Sequence, residues 1–362
     1  MKTVSRERAV LYGTVLLLYA VTSAQDPNFQ IYLCFGQSNM CGAGSIEAKD
    51  KTVDERFQMM EPIGCTNRNR SLGKWYDAVP PLWGCNGGLG PADYFGRTMV
   101  ENLPSTIKVG VVVVAVPGCD IALFYKTGYQ GFDSYNTVPA KYGGSAYAWL
   151  LELAKLAQKD GVIKGMLLHQ GETNNGQNDW PDKVKKVYDS FIADLKLTAS
   201  ETPLLVGELL YQNQGGSCGG HNAVIAKVPD VIPNSYVISA EGLPGKDQFH
   251  FTTESNREIG RRYAEKMLTL LEPVTSRDVD MHAPSHKRGL LEIGVATAAA
   301  NAVLIIMEGD FGYRIFNLYG ELMETGKGAG ELTAGANLPA GMYLFSIRHK
   351  TGLFAGKFFK RQ

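Results

Sequence analysis

The stretch Lys108-Val109-Gly110-Val111-Val112-Val113-Val114-Ala115-Val116 decides the fold. A nearly continuous apolar run rich in valine, without the alternation of a half-exposed strand, predicts a central strand covered on both faces. Outward from it, Gln30–Phe35, Val162–Leu168, Pro203–Leu209 and Ser235–Ser239 read as further strands. Helical patterns lie between and after them, at Ala92–Asn102, Ser145–Gln158, Pro181–Ala199 and Thr253–Leu271. Strands alternating with helices of this length predict βαβ units, hence an α/β fold with a parallel sheet and helices on both faces. Such a sheet binds ligands beyond the carboxyl ends of its strands, so functional residues belong there.

The pattern stops after residue 272. Residues 273–289 are rich in Pro, His and charge, show no clear period, and read as a linker. Residues 290–362 become β-like, with runs at Ala302–Met307, Tyr313–Tyr319, Met342–Arg348 and Leu353–Phe359 between Gly-rich turns. They predict a small all-β domain, a β-sandwich. No acidic residue follows Glu331, whereas Arg348, Lys350, Lys357, Lys360 and Arg361 do. Those charges read as a solvated edge that discourages strand addition.

Whole-chain chemistry narrows the function. The 362 residues carry 36 Lys+Arg against 36 Asp+Glu, an even balance that argues against a nucleic-acid or anionic-membrane partner. Residues 1–24 place Lys2, Arg6 and Arg8 before an apolar run from Ala9 to Val21 and a Thr-Ser-Ala exit. This is the layout of a secretory signal peptide, and the run is short of the roughly 20 residues of a membrane span. Residues 25–272 are then the large domain of an exported protein, a setting that permits disulfides among Cys34, Cys41, Cys65, Cys85, Cys119 and Cys218. Six cysteines allow 15 connectivities, and spacing does not choose among them. With no CxxC pair, no cysteine metal site is expected.

Three polar clusters sit at predicted strand ends. Gly36-Gln37-Ser38-Asn39-Met40-Cys41-Gly42 follows the first strand and puts a serine at a sharp turn. His169-Gln170-Gly171-Glu172-Thr173-Asn174-Asn175 follows the Val162–Leu168 strand and supplies an acid, amide donors and a glycine for close backbone approach. Asp247-Gln248-Phe249-His250 precedes the last helix; its spacing lets the carboxylate hold one ring nitrogen and leave the other as a base. A fourth stretch, Gly215-Gly216-Ser217-Cys218-Gly219, matches the GxSxG pattern of a nucleophile elbow. Its setting, after Gln212-Asn213-Gln214, is a glycine-rich loop and not a strand-to-helix turn, so Ser217 is set aside.

Taken in order, Gly36–Met40, Gly90-Pro91-Ala92-Asp93-Tyr94-Phe95-Gly96, Val116-Pro117-Gly118-Cys119-Asp120-Ile121, His169–Glu172 and Asp247–Phe251 resemble the SGNH hydrolases. More narrowly they resemble the carbohydrate esterase family 6 acetyl xylan esterases and their sialate O-acetylesterase relatives, over residues 28–272. The resemblance implies a three-layer αβα sandwich with a flavodoxin-like sheet. It implies Ser38 as nucleophile, His250 as general base, and Asp247 and Glu172 as candidates for the acid, both expected to contribute. The implied oxyanion donors are the Ser38 backbone, Gly90, and Gln170 or Asn174. Cys41 stands where many relatives carry Glu, which allows a disulfide or an altered helix start there. The implied chemistry needs no metal or organic cofactor, and its substrate is an acetylated plant polysaccharide, most simply xylan. A sialate O-acetylesterase, or a carbohydrate-binding protein with a dead site, are the alternatives. Loop aromatics Trp75, Trp83, Tyr125, Tyr129 and Trp180 are candidates to face the substrate. At the C-terminus, Asn317–Glu321, Leu338–Tyr343 and the Lys/Arg cluster resemble a type IX secretion sorting domain, implying a partnership with secretion machinery. A carbohydrate-binding module is disfavoured because the segment holds no Trp.

Overall fold

A computed structural model describes residues 25–128, 133, 135–271, 303–317, 322–349 and 352–360. The signal-peptide and linker expectations, residues 1–24 and 273–289, lie outside them. Two compact units divide after Leu271. Among the described residues no helix is long and apolar enough to cross a membrane.

The first unit runs β1 (Asp26–Gly36), α1 (Ser38–Gly42), β2 (Phe57–Met60), β3 (Trp75–Asp77), α2 (Pro91–Asn102), β4 (Lys108–Ala115), α3 (Ala146–Ala157) and β5 (Gly161–His169). It continues with α4 (Trp180–Asp194), β6 (Leu204–Gly207), α5 (Asn222–Ile225), α6 (Val228–Val231), β7 (Ser235–Ile238) and α7 (Thr253–Leu270). One seven-stranded sheet has the order β3-β2-β4-β1-β5-β6-β7. Every neighbour pair is parallel except β2–β3. The five strands legible in the sequence therefore lie second-first-third-fourth-fifth, the flavodoxin order.

The valine run is the middle of this sandwich. Val112 and Val114 join Ile31, Leu33 and Phe35 of β1 under α3 and α4. Val111 and Val113 join Tyr32 and Cys34 under α2 and α7. Alternate residues thus go to opposite faces and both faces are apolar, which is why no alternation shows in the sequence. Each buried Val, Leu, Ile or Phe contributes about 1.5–3 kcal/mol. Two of the helices, α3 and α7, begin where a side chain caps them: Ser145 accepts from the Ala148 N–H and Thr252 from the Ser255 N–H. The strand order reverses between β1 and β5, and their carboxyl ends open the crevice in which this topology places ligands.

The second unit is a four-stranded antiparallel sheet in the order β11-β10-β8-β9, comprising β8 (Val303–Asn317), β9 (Leu322–Ala334), β10 (Gly341–His349) and β11 (Gly352–Lys360). Two expectations change here. The predicted strands at 302–307 and 313–319 are one strand, continued through a register shift between Met307 and Asp310. In place of a sandwich, the described residues form a single sheet with one cluster around Ile305, Phe311, Ile315, Tyr343 and Ile347. Strand β9 escaped the sequence reading because LMETGKGAGELTA is mostly exposed and glycine-rich.

Candidate active site

Strand β1 ends at Gly36, whose φ of 147° and proximity to β5 admit no side chain. A Cβ there would lie 2.0 Å from the His169 carbonyl oxygen. The close approach lets the Gln37 N–H donate to the His169 oxygen at 3.0 Å, and the Gly171 N–H to Gln37 Oε1 at 3.3 Å. The two strand ends are thereby fastened, and Ser38 opens α1 directly above them.

The base comes from a loop closed upon itself. The Lys246 N–H donates to the His250 oxygen at 2.8 Å, and Gly245 bridges Phe251. Inside it, Asp247 Oδ1 accepts the N–H groups of Phe249 and His250, both at 2.8 Å. The same carboxylate meets His250 Nδ1 at 2.9 Å, so the ring proton stays on that nitrogen and Nε2 is left as acceptor. Nε2 lies 2.9 Å from Ser38 Oγ. Partial burial pushes the Asp247 carboxyl up, but hydrogen bonds from the Phe249 N–H, the His250 ring and the His250 N–H together hold it below its usual range.

Glu172 does not reach His250. Its Oε1 accepts from Asn39 Nδ2 at 2.7 Å, and its Oε2 is buried without a hydrogen-bond partner. Burial pushes this carboxyl up to about 7, with its own backbone N–H, Asn39 and the Gly171 N–H pulling the other way. As an acid for the imidazole it is therefore replaced by Asp247 alone.

The amides expected at the oxyanion are spent elsewhere. Gln170 is fully buried and gives its two protons to the Cys119 oxygen at 3.1 Å and Asn174 Oδ1 at 2.6 Å, while its own oxygen accepts from the Trp180 indole at 2.7 Å. Asn174 gives its protons to Asp120 at 2.8 Å and Gln177 at 2.9 Å. The Gly90 N–H, at the N-cap of α2, donates to the Asp93 carboxylate at 3.3 Å. Beside the nucleophile, the Ser38 N–H heads a helix with no preceding carbonyl to bind. The Gln37 carboxamide has its Oε1 held by the Gly171 N–H, and its Nε2 donates in none of the hydrogen bonds among the described residues.

Among the aromatics, Trp180 is buried in the core, and Trp75 sits at the amino ends of the strands with its indole on Asp160. Neither faces the site. Tyr125 is half-buried against the core with the Lys186 ammonium 3.8 Å above its ring. Trp83 is half-buried with its indole nitrogen unpartnered, on a loop that packs over Cys41: a Cβ on Gly87 would lie 2.2 Å from the Trp83 oxygen and 3.3 Å from the Cys41 oxygen. Tyr129 lies outside the described residues. The sequence reading missed Phe249, 38% exposed, with its ring centroid 6.4 Å from that of His250. An aromatic next to the base in Asp247-Gln248-Phe249-His250 was the available signal.

Cysteine chemistry stays outside the site. One disulfide joins Cys65 to Cys85, and Cys34, Cys41, Cys119 and Cys218 are buried thiols, so no disulfide forms at Cys41. The glycine-rich loop forms no elbow: the Ser217 N–H and hydroxyl both donate to Gln248, at 2.9 Å each. His169, fully buried, is pushed down to about 4 by desolvation and stays neutral.

A serine, a histidine and an aspartate in hydrogen-bonded series, at the carboxyl ends of a parallel sheet, define a hydrolase of the nucleophilic-serine class. Residues 28–269 match the family described as carbohydrate esterase, sialic acid-specific acetylesterase, and the chain belongs to it. A probable carbohydrate esterase of Arabidopsis thaliana is 24% identical over 267 residues, covering 69% of this chain and 94% of that protein. Among solved structures, an Arabidopsis thaliana protein matches with a TM-score of 0.52 at 20% identity, over 67% of this chain and 99% of that one. NanS matches with a TM-score of 0.52 at 15% identity, over 67% and 98%. Both share the fold of the first unit.

Proposed function

We propose that the protein removes O-acetyl groups from an acetylated carbohydrate through an acetyl-serine intermediate. The observation that carries this reading is the 2.9 Å approach of His250 Nε2 to Ser38 Oγ, with Asp247 on the other ring nitrogen. His250 takes the Ser38 proton as Oγ attacks the acetyl carbonyl, then returns it to the leaving sugar oxygen. Asp247 keeps the imidazole in the right tautomer and stabilises the imidazolium. The Ser38 N–H and the Gln37 carboxamide are the donors left for the oxyanion. Water, activated by the same histidine, then attacks the acetyl-enzyme and frees acetate.

The substrate proposed first is acetylated plant polysaccharide, most simply xylan, with Phe249 and Trp83 facing the sugar. The family description favours a second reading, an O-acetylated sialic acid. A panel of acetylated xylan, mannan and sialoglycan, read by acetate release, separates them; silence on all three with wild-type protein overturns the esterase reading. Export through residues 1–24 and surface attachment through the C-terminal unit complete the proposal.

A further inference from the structure

The nucleophile and its base lie 212 residues apart, and one buried side chain holds the backbone around the base to the nucleophile's helix. Asn39, fully buried, follows the nucleophile in α1. Its Nδ2 donates to the Phe249 oxygen at 3.0 Å, and its Oδ1 accepts from the Phe251 N–H at 3.3 Å. The carboxamide thus grips the backbone on either side of His250. The bonds within the Asp247–His250 loop shape it without referring it to Ser38. Besides the contact between Ser38 and His250 themselves, the two segments are joined by the bonds of Asn39 and, further out, by Lys246 Nζ to the Ala43 oxygen and the Ser45 N–H to Thr253 Oγ1; of these only the Asn39 bonds flank His250 directly.

A carboxamide between a carbonyl and an N–H is correct in only one orientation; turned over, it sets oxygen against oxygen. Glu172 reinforces that orientation by taking the second Nδ2 proton at 2.7 Å. We infer that Asn39 is the positioning residue that holds His250 against Ser38, and that Glu172 acts only through Asn39, as the acceptor that keeps the carboxamide from turning. This rests on the serine-esterase reading above. Accepting one proton needs an oxygen and not a charge. The Glu172 carboxyl, pushed up to about 7 by burial and with Oε2 unpartnered, fits that modest requirement.

The test compares Asn39→Ala, Glu172→Ala, Glu172→Gln and the double alanine variant. Each is read by kcat and KM on p-nitrophenyl acetate, by the rate of Ser38 labelling with a fluorophosphonate, and by thermal midpoint. Asn39→Ala should lower kcat by about 100-fold at nearly constant KM, the scale of a misplaced catalytic group. Glu172→Ala should cost about 10-fold, Glu172→Gln less than about 3-fold, and the double variant no more than Asn39→Ala alone, since both act on one contact. Labelling should fall in parallel. Glu172→Gln as slow as Glu172→Ala would mean that the charge itself serves the imidazole, and the inference fails. Multiplying defects in the double variant, or wild-type rates in Asn39→Ala, also overturn it. Should Asn39→Ala not fold, Asn39→Asp serves: it loses both donations, and adding Glu172→Gln should restore activity several-fold by donating to the new carboxylate; failure to restore counts against the inference. Wild-type protein that neither takes the label nor cleaves the ester sinks the esterase reading, and the inference with it. Active wild type with unaffected variants sinks the inference alone.

Discussion

Asp247 carries two duties in one side chain: Oδ1 knots the loop by accepting two backbone N–H groups, and the carboxylate orients the imidazole. Asp247→Asn keeps the shape and loses the tautomer control, so kcat should fall by up to about 10⁴-fold with KM little changed. Ser38→Ala should abolish acetyl release without moving the thermal midpoint. Ser217→Ala removes a hydroxyl bonded only to Gln248 and should leave the rate within about 3-fold, the scale of a single surface hydrogen bond. Reversal of those two serine results would restore the glycine-rich loop as the nucleophile's seat. Gly36→Ala should be severe despite adding one methyl group. Its Cβ would strike the β5 backbone at 2.0 Å, and no flexible side chain stands there to yield.

At the scale of elements, α7 is docked by charge as well as by apolar area. Arg257 is 4% exposed and bonds Asp50, 0% exposed, at 2.8 Å, with Glu47 at 2.9 Å completing the pair. Removing Arg257 leaves a buried carboxylate uncompensated, so Arg257→Ala should cost about 3 kcal/mol in urea unfolding. Burial pushes Asp50 up, yet hydrogen bonds from Arg257, the Glu47 N–H and Tyr94 hold it below its ordinary range. A depressed folded value means that this stabilisation is present above the unfolded value and lost as pH falls through the folded one. The gap between wild type and variant should therefore narrow on acidification below the usual carboxylate range. Elements of this kind were unevenly legible in the sequence. The β4 valines declared themselves because both faces are buried, whereas β2 and β3, four and three residues long, are too short for any period to show. Asp247 and His250 were legible as a pair because three residues of local spacing decide their meeting, whereas Ser38, 212 residues from His250, was marked only by its place at the turn after the first strand. Glu172, Gln170 and Asn174 were misjudged for one reason: a sequence names donors and acceptors but not where they are spent, and that depends on Asn39, Cys119 and Asp120, each from another segment.

At the scale of the molecule, both faces of the parallel sheet are closed by helices of the first unit itself. Deleting residues 290–362 should leave a folded, active esterase with kcat/KM on p-nitrophenyl acetate within about 2-fold, as expected of a separable domain. Loss of activity in that deletion would show that the second unit contributes to the site. The same wiring sets an order in time. Ser38 leaves the ribosome 212 residues ahead of His250, an interval of about 10–40 s at about 5–20 residues per second. Until the loop before α7 docks, the serine has no base. A nascent chain is thus chemically silent until that loop has emerged, however much of its sheet has formed, and in refolding the return of esterase activity reports the docking of that loop.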